Sequence, residues 1–529
     1  MTGRSFTLAS PAPIRWHGKQ PMVSFPDIDS GAAVPEIRRV LVLGGGSAGL
    51  LAALTLKKLH PVLEVRMVRS SEIGVIGVGE GTTAVFPGHL FETLGISKEE
   101  FYREAQPTWK QGIRFLWGPR EEFLYDFEFQ YDRQFPGTLK PTGYYATGDC
   151  SDLSEATALM KRQKAFATGP LGRPLIKGQY AFHIENHRLV ECLESIATRS
   201  GVIITDDTLE RAEMADGRVA ALHFKSGEQR TADLYVDASG FRAELIGKAL
   251  DEPFKSFSGA LFCDRAVIGG WERTDEPILP YTTAETMNHG WCWQIEHETF
   301  INRGYVYSSN FVSDDDALAE FFAKNPKVTT KPRVVKFRSG RYERNWVGNV
   351  VAVGNASGFV EPLEATALAQ TIYECRWLAE SLRVSGYRPD DTAVAFYNRI
   401  IGIAWDEIRD FLAFHYKFNN RLDTPFWKHC REATSLGNYE ELYRLYREVG
   451  PNPVLLFHAL PERPNIYGVE GFLAMLVGMQ VPYDRPHLAP PAEREMFDRH
   501  RAKLAAAAKG GATVRQALDA IRKPGWQWT

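Results

Sequence analysis

The chain has 529 residues, more than one ordinary domain needs, and 44% of them are hydrophobic. Its 62 basic and 65 acidic side chains leave a net charge of -3, which draws it toward neither nucleic acid nor an acidic membrane surface. Six scattered cysteines with no C-x-x-C pair exclude a disulfide scaffold, argue against a zinc site and fit a cytoplasmic compartment.

In chain order, residues 1–36 hold several prolines and no long apolar run. They read as a disordered tail rather than a secretory signal, with a transit peptide as the other reading and Met22 as an alternative start. A strand is expected at 37–43, where Val40-Leu41-Val42-Leu43 is wholly apolar, then a helix at 47–60 and a strand at 64–68. That order is a βαβ unit. Residues 86–145 mix aromatics with charges. Further strands are expected at 202–205, 219–224, 234–237 and 349–353, with a β-rich layer over 260–307. From Pro362 onward the pattern is mostly helical. No apolar run is long enough to span a membrane.

Gly44-Gly45-Gly46-Ser47-Ala48-Gly49 is a G-x-G-x-x-G motif between the first strand and the first helix. Gly44 suits the tight turn, Gly46 the close approach of a pyrophosphate, and Gly49 close helix–strand packing. The helix amides, from Ser47 and Ala48, would hold the phosphates. The acidic residue usual at the end of the second strand is replaced by Arg69, which leaves NADP or a differently held FAD open. Glu72 is the nearest acidic substitute. Two later strands, at 234–237 and 351–353, each end in small residues and favour FAD. Asn355 follows the second and would accept from a ribitol hydroxyl. The segment at 86–145 is expected to cover the cofactor. The fold expected is therefore α/β, a glutathione-reductase-like FAD-binding module over 37–361 with an inserted β-rich layer. A helical substrate-binding region over 362–529 follows it.

Four segments then carry a specific resemblance. They are Ile76-Gly77-Val78-Gly79-Glu80-Gly81-Thr82-Thr83, Thr108-Trp109-Lys110-Gln111-Gly112-Ile113-Arg114-Phe115, Gly290-Trp291-Cys292-Trp293-Gln294-Ile295 and Glu361-Pro362-Leu363-Glu364-Ala365-Thr366-Ala367. In this order and spacing the chain resembles the flavin-dependent halogenases, the family that includes the tryptophan halogenases. A softer fifth match, His415-Tyr416 with Arg421-x-Asp423-Thr424-Pro425-Phe426-Trp427, reads as structural.

The resemblance implies FAD contacts from Gly79, Glu80, Gly81, Asn355 and Leu368, beside the fingerprint glycines. It makes Lys110 the residue that receives hypohalous acid and delivers an electrophilic halogen. Either an ammonium that polarises the oxidant or a neutral amine that forms a haloamine suits that role. Glu364 would assist Lys110 or take the proton from the ring intermediate. Thr366 and Ala367 would offer backbone amides to a halide. Trp291 and Trp293, on one strand face by alternation, would shield the flavin from direct reaction with substrate. Pro362 is expected to start a helix that carries Glu364 in its first turn.

Four positions depart from the family pattern: Gly81 for Ala, Glu296 for Pro, Ala365 for Ser and Ala367 for Gly. Implied too are reduced FAD from a separate reductase, oxygen, bromide or chloride, and a small electron-rich aromatic substrate. No clear clamp for an amino acid is visible near 467–472, so indole or a related heteroaromatic stands beside tryptophan. No metal is expected. The rivals are an FAD hydroxylase, which has no need of Lys110, and a flavin-binding protein without turnover.

Overall fold

The computed structural model describes residues 36–74, 79–127, 153–462, 465–485 and 490–528. Residues 1–35 of the expected tail, Ile76, Gly77 and Val78 of the first motif, and 128–145 of the covering segment lie outside the described residues.

Strand β1 (Arg39–Leu43), helix α1 (Ser47–Leu59) and strand β2 (Glu64–Arg69) form the expected βαβ unit. The helix follows from its run of Ala and Leu and stops at His60, since Pro61 cannot continue it. β1 lies at the middle of a six-stranded sheet in the order Trp346–Val347, Val350–Ala352, Leu234–Asp237, β1, β2 and Ile203–Asp206. All neighbours are parallel except the Trp346–Val347 edge. The apolar run of β1 is explained by burial on both faces. Val40 and Val42 join the main core with α1, while Leu41 and Leu43 pack with Val219, Leu222 and Phe224 of a three-stranded antiparallel sheet.

The β-rich layer is a seven-stranded sheet. It runs from Arg333–Lys336 through Arg265–Glu272, Phe300–Tyr307, Gly290–Glu296 and Thr282–Met287 to Gly112–Leu116 and Phe123–Asp126. The last two strands come from the segment that the sequence left without strands. Beyond Pro362 the chain is helical, led by Ala367–Val384 and the long helix Asp391–Phe418. The expected α/β fold, β-rich layer and helical C-terminal region are all present. Among the described residues, no helix is long and apolar enough to cross a membrane.

Candidate active site

The fingerprint glycines each have a physical reason. At Gly44 φ is +121°, and a Cβ there would meet the Ala238 carbonyl oxygen at 2.2 Å. A Cβ on Gly49 would lie 2.0 Å from the Gly44 carbonyl oxygen, so only glycine lets α1 pack this close to β1. Gly46 differs: a Cβ there would meet nothing within 4 Å. It is also the N-cap of α1, without a side-chain cap, and the first turn carries no acidic residue. Open space before uncapped amides fits a pyrophosphate. The turn at Gly354–Ala356, which carries Asn355, lies against the same helix start. A Cβ on Gly354 would sit 2.6 Å from that of Ala48.

Neither residue weighed for the ribose is unengaged. Arg69 is paired with Asp206 at 3.0 Å and Glu194 at 3.1 Å. Its side chain also fills the space beside Gly45. Glu72 is held by Lys225 at 2.6 Å. The Arg69 guanidinium is thus already matched by carboxylates.

The first two motifs meet through a strand that neither contains. Ala181–Ile184 pairs antiparallel with β3 (Glu80–Gly81) on one side and with β4 (Thr108–Lys110) on the other. Lys110 is fully buried, and its Nζ donates to the Thr82 carbonyl oxygen at 3.1 Å and sits 5.5 Å from the Phe127 ring centroid. Burial pulls its pKa from 10.5 to about 8, against the opposing pull of the Glu364 charge. At Gln111 the backbone donates to Pro280 O, and the chain crosses into β5 (Gly112–Leu116), a strand of the seven-stranded sheet. Lys110 therefore stands at the seam between two sheets.

Gly81 draws three motifs together. A Cβ built on it would lie 3.4 Å from the Ala365 Cβ, 3.6 Å from Thr282 Oγ1 and 3.7 Å from Lys110 Nζ. Two of the four departures from the family pattern, Gly81 and Ala365, are thus neighbours, and a methyl at Gly81 would reach both Ala365 and the lysine. Glu80 next to it is half-buried, and desolvation pushes its pKa up to about 7.

The fourth motif differs from expectation. Pro362–Glu364 is a separate single 3₁₀ turn, closed by Ala365 N–H donating to Pro362 O. Ala365 then adopts a left-handed φ of +55°, and the following helix begins only at Ala367 with Thr366 as N-cap. Glu364 is therefore outside the first turn of that helix, and the dipole of that helix does not hold its carboxylate as the sequence led one to expect. The helix start at Thr366, Ala367 and Leu368 has no side-chain cap and no acidic residue in its first turn.

What holds Glu364 is His415, whose Nε2 lies 2.7 Å from Glu364 Oε1. The next residue, Tyr416, donates to Glu361 Oε2, as does Trp291 Nε1 at 2.6 Å. Glu361 is wholly buried, and desolvation pushes its pKa up to about 7. Two adjacent helix residues thus grip two carboxylates three positions apart. Sequence reasoning gave His415-Tyr416 only a structural part and assigned Glu361 no role. The fifth motif was the available signal.

Trp291 and Trp293 share a face of the strand Gly290–Glu296, with ring centroids 6.0 Å apart and both rings buried. Gly304 on the neighbouring strand leaves room for the Trp293 ring. Glu296, where the family has Pro, stays in register opposite Ile301 and forms a buried ion pair with Arg273 at 2.5 Å. Gln294 also donates to it. The carboxylate thus has fixed partners that a proline would not need.

An α/β sheet with an open dinucleotide cradle, joined to a layer that buries a lysine, defines an FAD-binding fold. The sequence model of the tryptophan halogenase family matches residues 39–492. The tryptophan 7-halogenase RebH of Lentzea aerocolonigenes is 31% identical over 450 residues, covering 78% of this chain and 82% of RebH. The crystal structure of MibH, a lathipeptide tryptophan 5-halogenase, superposes with a TM-score of 0.84 at 38% identity, covering 94% of this chain and 95% of MibH. BrvH, a flavin-dependent halogenase from Brevundimonas sp. BAL3, gives a TM-score of 0.78 at 28% identity, covering 92% of this chain and 99% of BrvH. The chain belongs to the tryptophan halogenase family. That membership bears out the expected enzyme class, a flavin-dependent halogenase.

Proposed function

We propose that this enzyme uses reduced FAD, oxygen and a halide to halogenate the indole ring of tryptophan or a similar electron-rich aromatic. The observation that carries this reading is the fully buried Lys110, set beside Gly81 and Ala365 of two other motifs. A lysine is rarely buried without a task, because desolvating its charge is costly. Gly44, Gly46, Ser47, Ala48, Gly49, Gly79, Glu80, Gly81, Asn355 and Leu368 would hold the cofactor. Arg69, tied to Asp206 and Glu194, would border the adenosine end. Bound reduced flavin would supply, with oxygen and halide, the hypohalous acid. Amides of Thr366 and Ala367 would place the halide. Lys110 would hydrogen-bond the oxidant and aim it at the ring, and Glu364 would take the displaced ring proton. Trp291 and Trp293 would fill the space between flavin and substrate. The sequence holds one dinucleotide fingerprint, which supports supply of reduced flavin by a separate reductase acting in the same cytoplasmic compartment.

The test is incubation with FAD, a flavin reductase, NADH and bromide or chloride against indoles and phenols, read by product mass. A halide-dependent mass gain is expected. A halide-independent gain of one oxygen would replace this reading with hydroxylation.

A second reading concerns what carries the indole. MibH, at 38% identity, is named for a lathipeptide tryptophan. Leu455, on the helix Pro453–His458, and Ile466 are exposed large apolar side chains, and Ile466 adjoins Tyr467, whose ring stacks on Phe411 at 3.8 Å. Both features favour an indole borne on a peptide. Competition between free tryptophan and a tryptophan-containing peptide decides it, with the peptide expected to be consumed first.

A further inference from the structure

We infer that His415 is the positioning partner of Glu364, holding one proton against it so that Glu364 stays an anion ready to accept the ring proton. This rests on the halogenation proposed above.

The His415 ring is fully buried in the helix Asp391–Phe418. Its Nδ1 lies 3.0 Å from the Phe411 carbonyl oxygen, which only accepts, so Nδ1 carries a hydrogen. In a neutral ring Nε2 would then be a lone pair. Yet Nε2 is 2.7 Å from Glu364 Oε1. A lone pair and a carboxylate oxygen repel at that distance unless a proton lies between them. The pair therefore shares one proton. An imidazolium beside a carboxylate leaves Glu364 Oε2 as a base, whereas a protonated acid cannot accept.

The neighbouring carboxylates Glu361 and Glu374 are held by Trp, Tyr, Ser, Gln and backbone donors rather than by a histidine. Both are pushed up to about 7 by desolvation. Glu364 is held instead by a histidine ring nitrogen at 2.7 Å. The ring of His415 is fixed from other sides by Phe115, Trp117 and Phe411, at centroid distances of 5.4, 6.4 and 5.1 Å. Trp117 Nε1 also donates to the His415 carbonyl oxygen at 2.9 Å. In the reaction, the aromatic carbon forms its bond to halogen and its C–H electron pair returns to the ring. The proton passes to Glu364 Oε2, while His415 keeps the proton at Oε1. The oxygen of hypohalous acid leaves with the oxygen–halogen electron pair and takes a proton from Lys110, which the ring proton on Glu364 then replaces, so the products balance as aryl halide and water.

The test pairs His415→Gln with ring-deuterated tryptophan and indole, under FAD, reductase, NADH and bromide. Gln keeps a hydrogen bond to Glu364 but holds no extra proton. The expected result is a fall in halogenation of about 10²-fold. A primary isotope effect should appear that the parent enzyme lacks, since proton loss has become slow. Oxidant output, trapped by a small thiol, should stay unchanged. A full rate with no isotope effect would overturn the inference, and so would a slow rate with lost oxidant output. If the parent itself makes no halide-dependent product, the proposed function falls first. Nitrogen NMR of histidine-labelled apoprotein gives a reading that needs neither flavin nor turnover. Both His415 nitrogens should carry hydrogen at pH 7, and a neutral ring would overturn the inference.

Discussion

The lysine site and the glycine-rich turn proposed to hold flavin are built in opposite ways. The cradle is largely backbone, with Gly44, Gly46 and Gly49 in six consecutive residues leaving room for a ligand and aiming amides at it. The lysine site is side chains from segments far apart in sequence, with Lys110, Glu364 and His415 brought together by two sheets and a long helix. A backbone site binds whatever has the right shape and charge. A site of buried ionisable side chains costs stability, and that cost is the mark of chemistry.

The sharpest way to break this contrast is Lys110→Ala. Halogenation should fall by about 10³-fold or more while flavin still binds, as read by product mass and by flavin absorbance after gel filtration. Unchanged halogenation would strip Lys110 of its role. Gly49→Ala is the mirror experiment. Its Cβ would run into the Gly44 carbonyl at 2.0 Å, so flavin should be lost and the fold weakened by about 1–3 kcal/mol in denaturant titration.

Lys110→Met sharpens the comparison through stability. Below about pH 8 the lysine is charged both folded and unfolded, and the folded state bears the full cost of burying it. Between about 8 and 10.5 the folded chain sheds the proton first and the cost fades. The methionine variant should therefore be more stable by on the order of 1–3 kcal/mol at pH 7, with a gain that shrinks above pH 8. Equal or lower stability at pH 7 would contradict the account of the buried ammonium.

The smallest effect belongs to Glu361→Gln. Trp291 and Tyr416 both donate to Oε2, so an amide oxygen there keeps both bonds. Desolvation pushes this acid from 4.5 to about 7. Below 4.5 it is protonated in both states and costs nothing. As pH rises toward 7 the unfolded chain ionises first and the native fold loses ground. The variant should match the parent near pH 4 and exceed it near pH 8 by on the order of 1 kcal/mol in thermal melts. A flat difference would remove the penalty.

The same contrast explains what could be read from sequence. Strand β1, helix α1 and the fingerprint turn were legible because local periodicity and consecutive glycines specify them. Leu234–Asp237 was expected to the residue because its apolar run is short and sharply bounded. The strands Gly112–Leu116 and Phe123–Asp126 were not, because pairing with Thr282–Met287 and with each other outweighs their mixed local pattern. The helical reading of Glu364 failed on one backbone angle, the left-handed turn at Ala365. His415 lies 51 residues from Glu364, and no local pattern announces a hydrogen bond across that distance.

One further consequence lies in Gly81 and Ala365. Each is a single atom from the residue usual in the family, a methyl at one and a hydroxyl at the other. A methyl restored at Gly81 would meet the Ala365 methyl at 3.4 Å and the Lys110 ammonium at 3.7 Å. The volume around the buried ammonium is thus tunable in single-atom increments, without touching the lysine. That gives a natural handle for selecting among halogens of different radius by design.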